Sequence, residues 1–222
     1  MDTTSGIPGA YASLLLHQAD ADVVHLGSAQ PIGVPASLVA YLRQGQRTVE
    51  RATGADVWLC TPADADARAE AGELRAARPG LIVVAITPYG LDGPFADRPA
   101  SDLTIQADSG ALAIRGNPGE EPVQMGARTI QWLAGSYAAA AALACWRGRL
   151  LSGSGALVDL SLAEVANVGG ANFMDVFHAI GEGVDAEPST PPRAFETPSI
   201  RHGRRGTTWP SVSGARFRRA RT

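Results

Sequence analysis

LIVVAI, residues 81–86, is apolar at all six positions and rich in β-branched side chains. A run of that length predicts a strand buried on both faces, the habit of a central strand in a parallel sheet covered by helices. Pro79-Gly80 immediately before it closes the helix that precedes. Working outward, DVVHL (22–26), ADVWLC (55–60) and ALVDL (156–160) repeat the short β-branched pattern. Between these runs, residues 11–19, 36–44, 65–77, 102–114 and 130–150 carry alanine, leucine and helical spacing. Strand and helix in alternation predict an α/β fold: a largely parallel sheet with helices on both faces. Ser101 or Asp102, just after Pro99, is a candidate N-cap, and Gly153 and Gly155 mark the turn after the alanine-rich helix. Residues 181–198 are rich in Pro, Glu, Ser and Thr and read as an extended linker. The expected organisation is an α/β domain over 1–180, a linker over 181–200 and a poorly ordered basic tail over 201–222.

Bulk properties narrow the class. Of 222 residues, 45% are apolar and 18% charged, an ordinary globular composition and far from that of a disordered chain. The net charge of −3 hides an asymmetry. The last 22 residues hold seven arginines and no acid; before them stand twelve arginines against 22 acids, a charge of −10. Such an arm could meet nucleic acid, but it lacks interleaved aromatic residues and any binding module, so no nucleic-acid partner is expected. All 19 basic residues are arginine, which reads as codon bias. The apolar run from Leu133 to Trp146 falls short of the roughly 20 residues a membrane-spanning helix needs, so no membrane association is expected. Two distant cysteines, Cys60 and Cys145, and no secretory leader point to the cytoplasm.

Familiar site patterns are missing. No Gly-Lys-Ser/Thr phosphate loop and no Gly-x-Gly-x-x-Gly follows the first strand. His17, His25, His178 and His202 show no metal-ligand spacing with each other or with the cysteines, so no metal is expected. No nucleophile elbow surrounds Ser152, Ser154 or Ser161. Composition and spacing alone therefore reach a cytosolic α/β domain and stop there.

An ordered set of motifs carries the reading further. Tyr89-Gly90, Gly93-Pro94-Phe95-Ala96, Asp102-Leu103 and Ser109-Gly110 come first. Ala134-Gly135-Ser136-Tyr137-Ala138, Gly153-Ser154-Gly155 and Val158-Asp159-Leu160-Ser161-Leu162 follow in order. This succession resembles the core of the family III CoA-transferases, the CaiB/BaiF type. Gly9-Ala10-Tyr11-Ala12 resembles the family's opening loop, RQGQRTV (43–49) its basic CoA-contacting turn, and Phe195 to Ile200 the start of its smaller domain. The resemblance covers nearly residues 6–200, about the first half of a usual family chain. It implies a Rossmann-like sheet, truncated relative to the family's large domain.

The resemblance also implies a chemistry, the movement of CoA between carboxylic acids. In the family an aspartate attacks the acyl-CoA thioester to give a mixed anhydride and free thiolate. The thiolate returns to form an aspartyl-CoA thioester, which the acceptor acid resolves. Aligning Ala134-Gly135-Ser136-Tyr137 places Gln131 at that aspartate's position. A neutral amide is a very poor nucleophile, though it can hydrogen-bond a thioester carbonyl or carboxylate. Asp108 is the nearest candidate to stand in, Asp102 reads as a helix cap and Asp159 as a structural strand residue. Racemisation, which needs a histidine ahead of the Asp-Leu helix, is excluded by Ser101 at that place.

The resemblance assigns coenzyme A contacts to Arg43, Arg47, Tyr89 and Gly90. Arg47 supplies a guanidinium fork suited to phosphate, while the lysine usual before it is Gln46. Arg68 replaces an arginine found near the following turn; solvated surface is the alternative for Arg43, Arg47 and Arg68. The expected ligand is an acyl-CoA or carboxylic acid, and the expected assembly a homo- or hetero-dimer. Past Ile200 the resemblance gives way to the arginine-rich tail, read as a frameshifted or mis-called end of a truncated chain, with an authentic short paralogue as the competing account. Three functions follow as expectations: a CoA-transferase homologue with little or no transfer activity of its own, a non-catalytic acyl-CoA-binding half beside an intact partner, or a non-enzymatic product, either a fragment without function or a basic-tailed interaction protein. Uncovered apolar faces predict low solubility of the chain alone.

Overall fold

The structure is a computed structural model and describes residues 1–27, 33–51, 54–112, 115 and 120–171. The 81–86 run forms strand β4 (Ile82–Thr87), buried at every position. Ile82, Val84 and Ile86 point into one core with Ala134, Ala138 and Ala142, while Val83 and Ala85 point into another with Ala71 and Leu81. Burial on both faces is worth about 1.5–3 kcal/mol for each fully buried Ile or Val.

Around β4 lie β1 (Val24–Leu26), β2 (Arg47–Val49), β3 (Val57–Cys60) and β5 (Leu157–Ser161). The ladders β1–β2, β3–β4 and β4–β5 are all parallel. Two blocks result, β2-β1 and β3-β4-β5, and Asp2 bridges them by pairing with His25 on one side and Leu59 on the other. Its N–H donates to Val24 O at 2.9 Å, and Thr3 N–H to Leu59 O at 2.9 Å. The lateral order is therefore β2, β1, residues 1–3, β3, β4, β5, the doubly wound arrangement.

Helix α1 (Ile7–Gln18) and the long α5 (Thr129–Ser152) pack together on one face. Their backbones approach closely because Gly135 lies against Pro8 O and the Tyr11 ring; a Cβ there would sit 2.7 Å from that carbonyl. Helix α2 (Ala36–Leu42) leans on α1 through Leu38 and Leu42. Helix α3 (Ala65–Ala77), capped by Asp64, covers the opposite face, so both faces carry helices. Two short helices complete the described chain: α4 (Asp102–Asp108), with a capping box between Ser101 and Thr104, and α6 (Leu162–Ala166).

Several boundaries differ from the sequence expectation. Helix α1 begins at Ile7 instead of residue 11, because Pro8 suits a first turn. Helix α4 ends at Asp108 instead of running to 114, since Gly110 takes φ 82 and turns the chain away. Arg47–Val49, read as a basic turn, is a strand paired along β1. Helix α6 and the π-helical turn Asn167–Ala171 that follows it were not expected at all. The end of the expected domain, the linker at 181–200 and the basic tail at 201–222 lie outside the described residues.

Among the described residues no helix is long and apolar enough to cross a membrane. On α5, Leu143, Leu150 and Leu151 are exposed, the last two at 70% and 82%, and Leu157 is exposed on β5.

Candidate functional site

A parallel sheet brings the carboxyl ends of all its strands to one edge. In doubly wound folds ligands bind there, where neighbouring connections diverge. Here the divergence falls between residues 1–3, which lead to β1, and β3, which leads to β4. At this edge a cavity of about 350 Å³ opens between the starts of α1, α2 and α5. Ile7, Val34, Pro35, Leu38 and Trp132 give it apolar walls, and Ala127 and Arg128 complete the lining. The volume lies within the range of small-molecule sites, roughly 300–1,000 Å³.

Gln131 stands in the first turn of α5, three residues after Arg128 and next to Trp132. Its backbone N–H donates to Arg128 O at 2.9 Å. Its side chain is half-buried, and its amide bonds no other group among the described residues. Immediately before α5, Ala127 (φ 56) and Arg128 (φ 55) are both left-handed, costing about 1–2 kcal/mol each. Two hydrogen bonds hold the turn: Trp132 Nε1 donates to Ala127 O at 3.0 Å, and Arg128 Nη2 to Gly33 O at 2.7 Å. The Trp132 ring meets Tyr11 edge-on with centroids 4.9 Å apart.

Tyr89 and Gly90 follow β4 at the same edge. Gly90 takes φ 101, and its N–H donates to Thr87 Oγ1 at 2.8 Å. The Asp159 carboxylate accepts from Leu91 N–H at 2.9 Å, which makes it a structural residue of this turn. Tyr89 donates its hydroxyl to Asp108 Oδ2 at 2.6 Å, and Arg98 pairs with the same oxygen at 3.1 Å. Desolvation first, and the Asp108 carboxylate second, push the phenol up from its ordinary value. Arg98 also lies 5.7 Å from the centroids of both the Tyr89 and Phe95 rings. With its carboxylate engaged by a phenol and a guanidinium, Asp108 is poorly placed to act as a free nucleophile. The Tyr89 ring packs with Ile105, Ile130 and Ala166, so the turn bearing Gln131 and the turn bearing Tyr89 share one apolar contact.

The arginines go elsewhere. Arg43 is buried and ion-paired with the fully buried Asp2, which also accepts from Thr4 N–H and Oγ1 at 2.7 Å and from Ser13 Oγ at 2.8 Å. Arg47 opens β2 at the amino edge of the sheet, exposed and paired with Asp22 at 2.7 Å. It lines a second cavity there, of about 580 Å³, together with Val24, Val57 and Trp146. Arg68 pairs with Asp97. Of the five expected site residues, Gln131, Tyr89 and Gly90 therefore gather at the carboxyl edge, while Arg43 lies in the interior and Arg47 at the far edge. Sequence reasoning missed Arg128, Trp132 and the walls supplied by α2. The only sequence signal was Gly126 before the helix, and nothing marked Ala127 or Arg128 as left-handed.

Cys60 ends β3 at this edge and would be a second possible nucleophile. Burial, with Asp2 and Glu70 nearby, pushes its thiol up to about 12. Its thiolate is scarcely populated at neutral pH, which rules it out for covalent chemistry there. Aromatic disulfide reagents are expected to modify Cys145, the partly exposed thiol, and to leave Cys60 untouched until the chain is denatured. Rapid reaction of both thiols in the native protein would contradict this burial. Among the described residues no group of three or more His, Cys, Asp or Glu side chains is placed to hold a metal ion.

The domain is a doubly wound α/β fold with an apolar cleft at the carboxyl edge of its sheet. The particular family is specific: a model of CoA-transferase family III matches residues 44–198, and the chain belongs to that family. It is 29% identical to the subunit BbsE of succinyl-CoA:(R)-benzylsuccinate CoA-transferase from Thauera aromatica, over 84% of this chain and 54% of that one. It is 33% identical to a succinate–glutarate CoA-transferase from Agrobacterium fabrum, over 45% of this chain and 25% of the relative. The chain thus spans between a quarter and about half the length of these curated relatives. In fold it is similar to a CAIB/BAIF family protein from Brucella suis, with a TM-score of 0.71 and 22% identity over 82% of this chain and 56% of that one.

Proposed function

We propose that this chain binds acyl-CoA at the carboxyl edge of its sheet and supports CoA transfer performed with an aspartate-bearing partner. The observation that carries the reading is Gln131. It occupies the first turn of α5, where the family resemblance puts the nucleophile, half-buried and with its amide bonded to no other group among the described residues. A carboxamide cannot become an acyl carrier, but it can donate to a thioester carbonyl or accept from a neighbouring donor. Its role is to hold the acyl group, while covalent catalysis falls to a carboxylate on another chain.

Two further facts support the reading. The BbsE relative is named as a subunit, and the alpha and beta subunits of a succinyl-CoA–L-malate CoA-transferase of Chloroflexus aurantiacus are each 33% identical to this chain, over 92 and 87 residues respectively. Exposed leucines on α5 and β5 offer apolar surface for a partner to cover, whether a second copy or a related chain. The acyl donor and the acceptor are both carboxylic acids in this reading.

The test is a thermal melt of the purified chain with and without saturating coenzyme A. At about 100 times the dissociation constant a ligand adds roughly 2.7 kcal/mol. For a domain of this size that raises the midpoint by about 5–10 °C. A midpoint indifferent to coenzyme A would overturn the reading.

A further inference from the structure

We propose that Gln106 is a positioning residue for Gln131: its buried amide fixes the segment that leads into α5, and through that segment the turn that presents Gln131 to the acyl group. The inference rests on the acyl-CoA reading above and adds the device that sets the geometry of its site.

Gln106 lies on α4 and is fully buried, a rare place for a carboxamide. Met125 N–H donates to its Oε1 at 2.7 Å. Its Nε2 donates to Met125 O at 3.2 Å and to Asp102 Oδ2 at 2.7 Å. Both donors of the amide are thus used, and the Asp102 carboxylate decides which way it faces. The side chain does the work of a neighbouring strand, satisfying the N–H and the carbonyl of one residue together. Among the described residues the main chain of Met125 has no other hydrogen-bond partner.

The place of Met125 in the chain gives this clamp its consequence. Residues 121–125 form neither helix nor strand. Gly126 follows, then the left-handed pair Ala127 and Arg128, then the first turn of α5 with Gln131. A strained pair of this kind persists only where its surroundings over-determine it. Bonds to Trp132 and Gly33 hold the pair itself, and the Gln106 amide holds the chain that enters it. The Met125 side chain packs in one cluster with Ile105 of α4 and Ile130, the residue before Gln131. Freed from Gln106, Met125 would leave a polar N–H and carbonyl unpaired in that cluster, and the turn would have to move to satisfy them.

Hydrogen exchange on the full chain tests the clamp without any ligand. Gln106→Met fills a similar volume without the amide. It is expected to speed exchange of the Gln131 and Trp132 amides, which donate to Arg128 O, about 10-fold while β4 stays protected as in the wild type. A role confined to global stability would speed exchange in β4 as well. Gln106→Asn keeps the amide but withdraws it by one methylene; it is expected to give the same local change and serves if the methionine variant does not fold. Calorimetric titration with acetyl-CoA and coenzyme A then reads the site. The wild type is expected to bind acetyl-CoA about 2- to 10-fold more tightly than coenzyme A, the value of one hydrogen bond from Gln131. Gln106→Met and Gln131→Ala are each expected to abolish that preference, and the double variant to lose nothing more, since both act on one contact. Unchanged exchange in both Gln106 variants, or a rise shared by β4, would overturn the clamp whatever the ligands do. A preference for acetyl-CoA that survives the local rise would overturn the link to Gln131. The local rise with no such preference in the wild type would overturn the acyl-CoA reading, and with it the acyl half of this proposal.

Discussion

Asp2→Ala destabilises the protein by about 3–5 kcal/mol, the cost of removing one partner from a buried ion pair. The Asp2 carboxylate is fully buried and faces Arg43, whose side chain is 7% exposed. The variant removes a buried carboxylate from beside this guanidinium, which also donates to Gln46 Oε1 at 3.5 Å, together with the acceptor for Thr4 and Ser13. Its backbone also joins the two strand blocks, so any local rearrangement reaches β1 and β3 together. Urea denaturation measures the loss, and Asp2→Asn, which keeps an acceptor but not the charge, should fall between the two. A loss below about 1 kcal/mol for the alanine variant would mean that Arg43 is compensated by another route.

Gly155→Ala is the second large effect. A Cβ at Gly155 would lie 2.0 Å from Leu81 O and 2.4 Å from its carbonyl carbon, both main-chain atoms that cannot swing aside. The turn before β5 is pressed onto the turn before β4: Gly155 N–H donates to Pro79 O at 2.7 Å, and Arg75 donates to Gly155 O at 2.8 Å. Relief requires the strands to part where Val83 N–H donates to Ala156 O. Overpacking of this kind costs about 1–3 kcal/mol and occasionally more; with backbone on both sides, the upper end is expected. Gly148→Ala is the matched control. It lies inside α5 with nothing within 4 Å of its would-be Cβ, and should stabilise by about 1 kcal/mol through helix propensity. Similar midpoints for the two variants would show that the β4–β5 turn yields more than its geometry suggests.

How far the sequence could be read follows from how local each signal is. The 81–86 run was legible because burial on both faces leaves no polar position to confuse the period. The α5 helix was legible for its alanine content and its end, where Gly153 takes φ 75. Strand β2 was not: three residues beginning with an arginine carry no periodicity, and pairing with β1 decides their state. Nor could Asp2 be found, since its partners Ser13 and Arg43 lie 11 and 41 residues away. Gln131, Tyr89 and Gly90 were chosen through family motifs. The cavity beside them arises from the ends of three helices, and no single stretch of sequence describes it. Arg47 was chosen as a cation near a motif, and its strand places it at the other edge.

The bridge formed by residues 1–3 bears on the order in which the molecule can assemble. Thr3 reaches Leu59 across 56 residues, whereas β1 lies much nearer in the chain. During synthesis this segment can meet one neighbour early, but it must wait for the residues of β3 before its other side is paired. Until then it is half of an open seam, with Asp2 not yet enclosed. Joining the two blocks also closes a long loop, a slow step compared with pairing β3 to β4 across a single helix. The seam at Asp2 is thus expected to be among the last contacts made in folding and, on unfolding, the place where the sheet first separates.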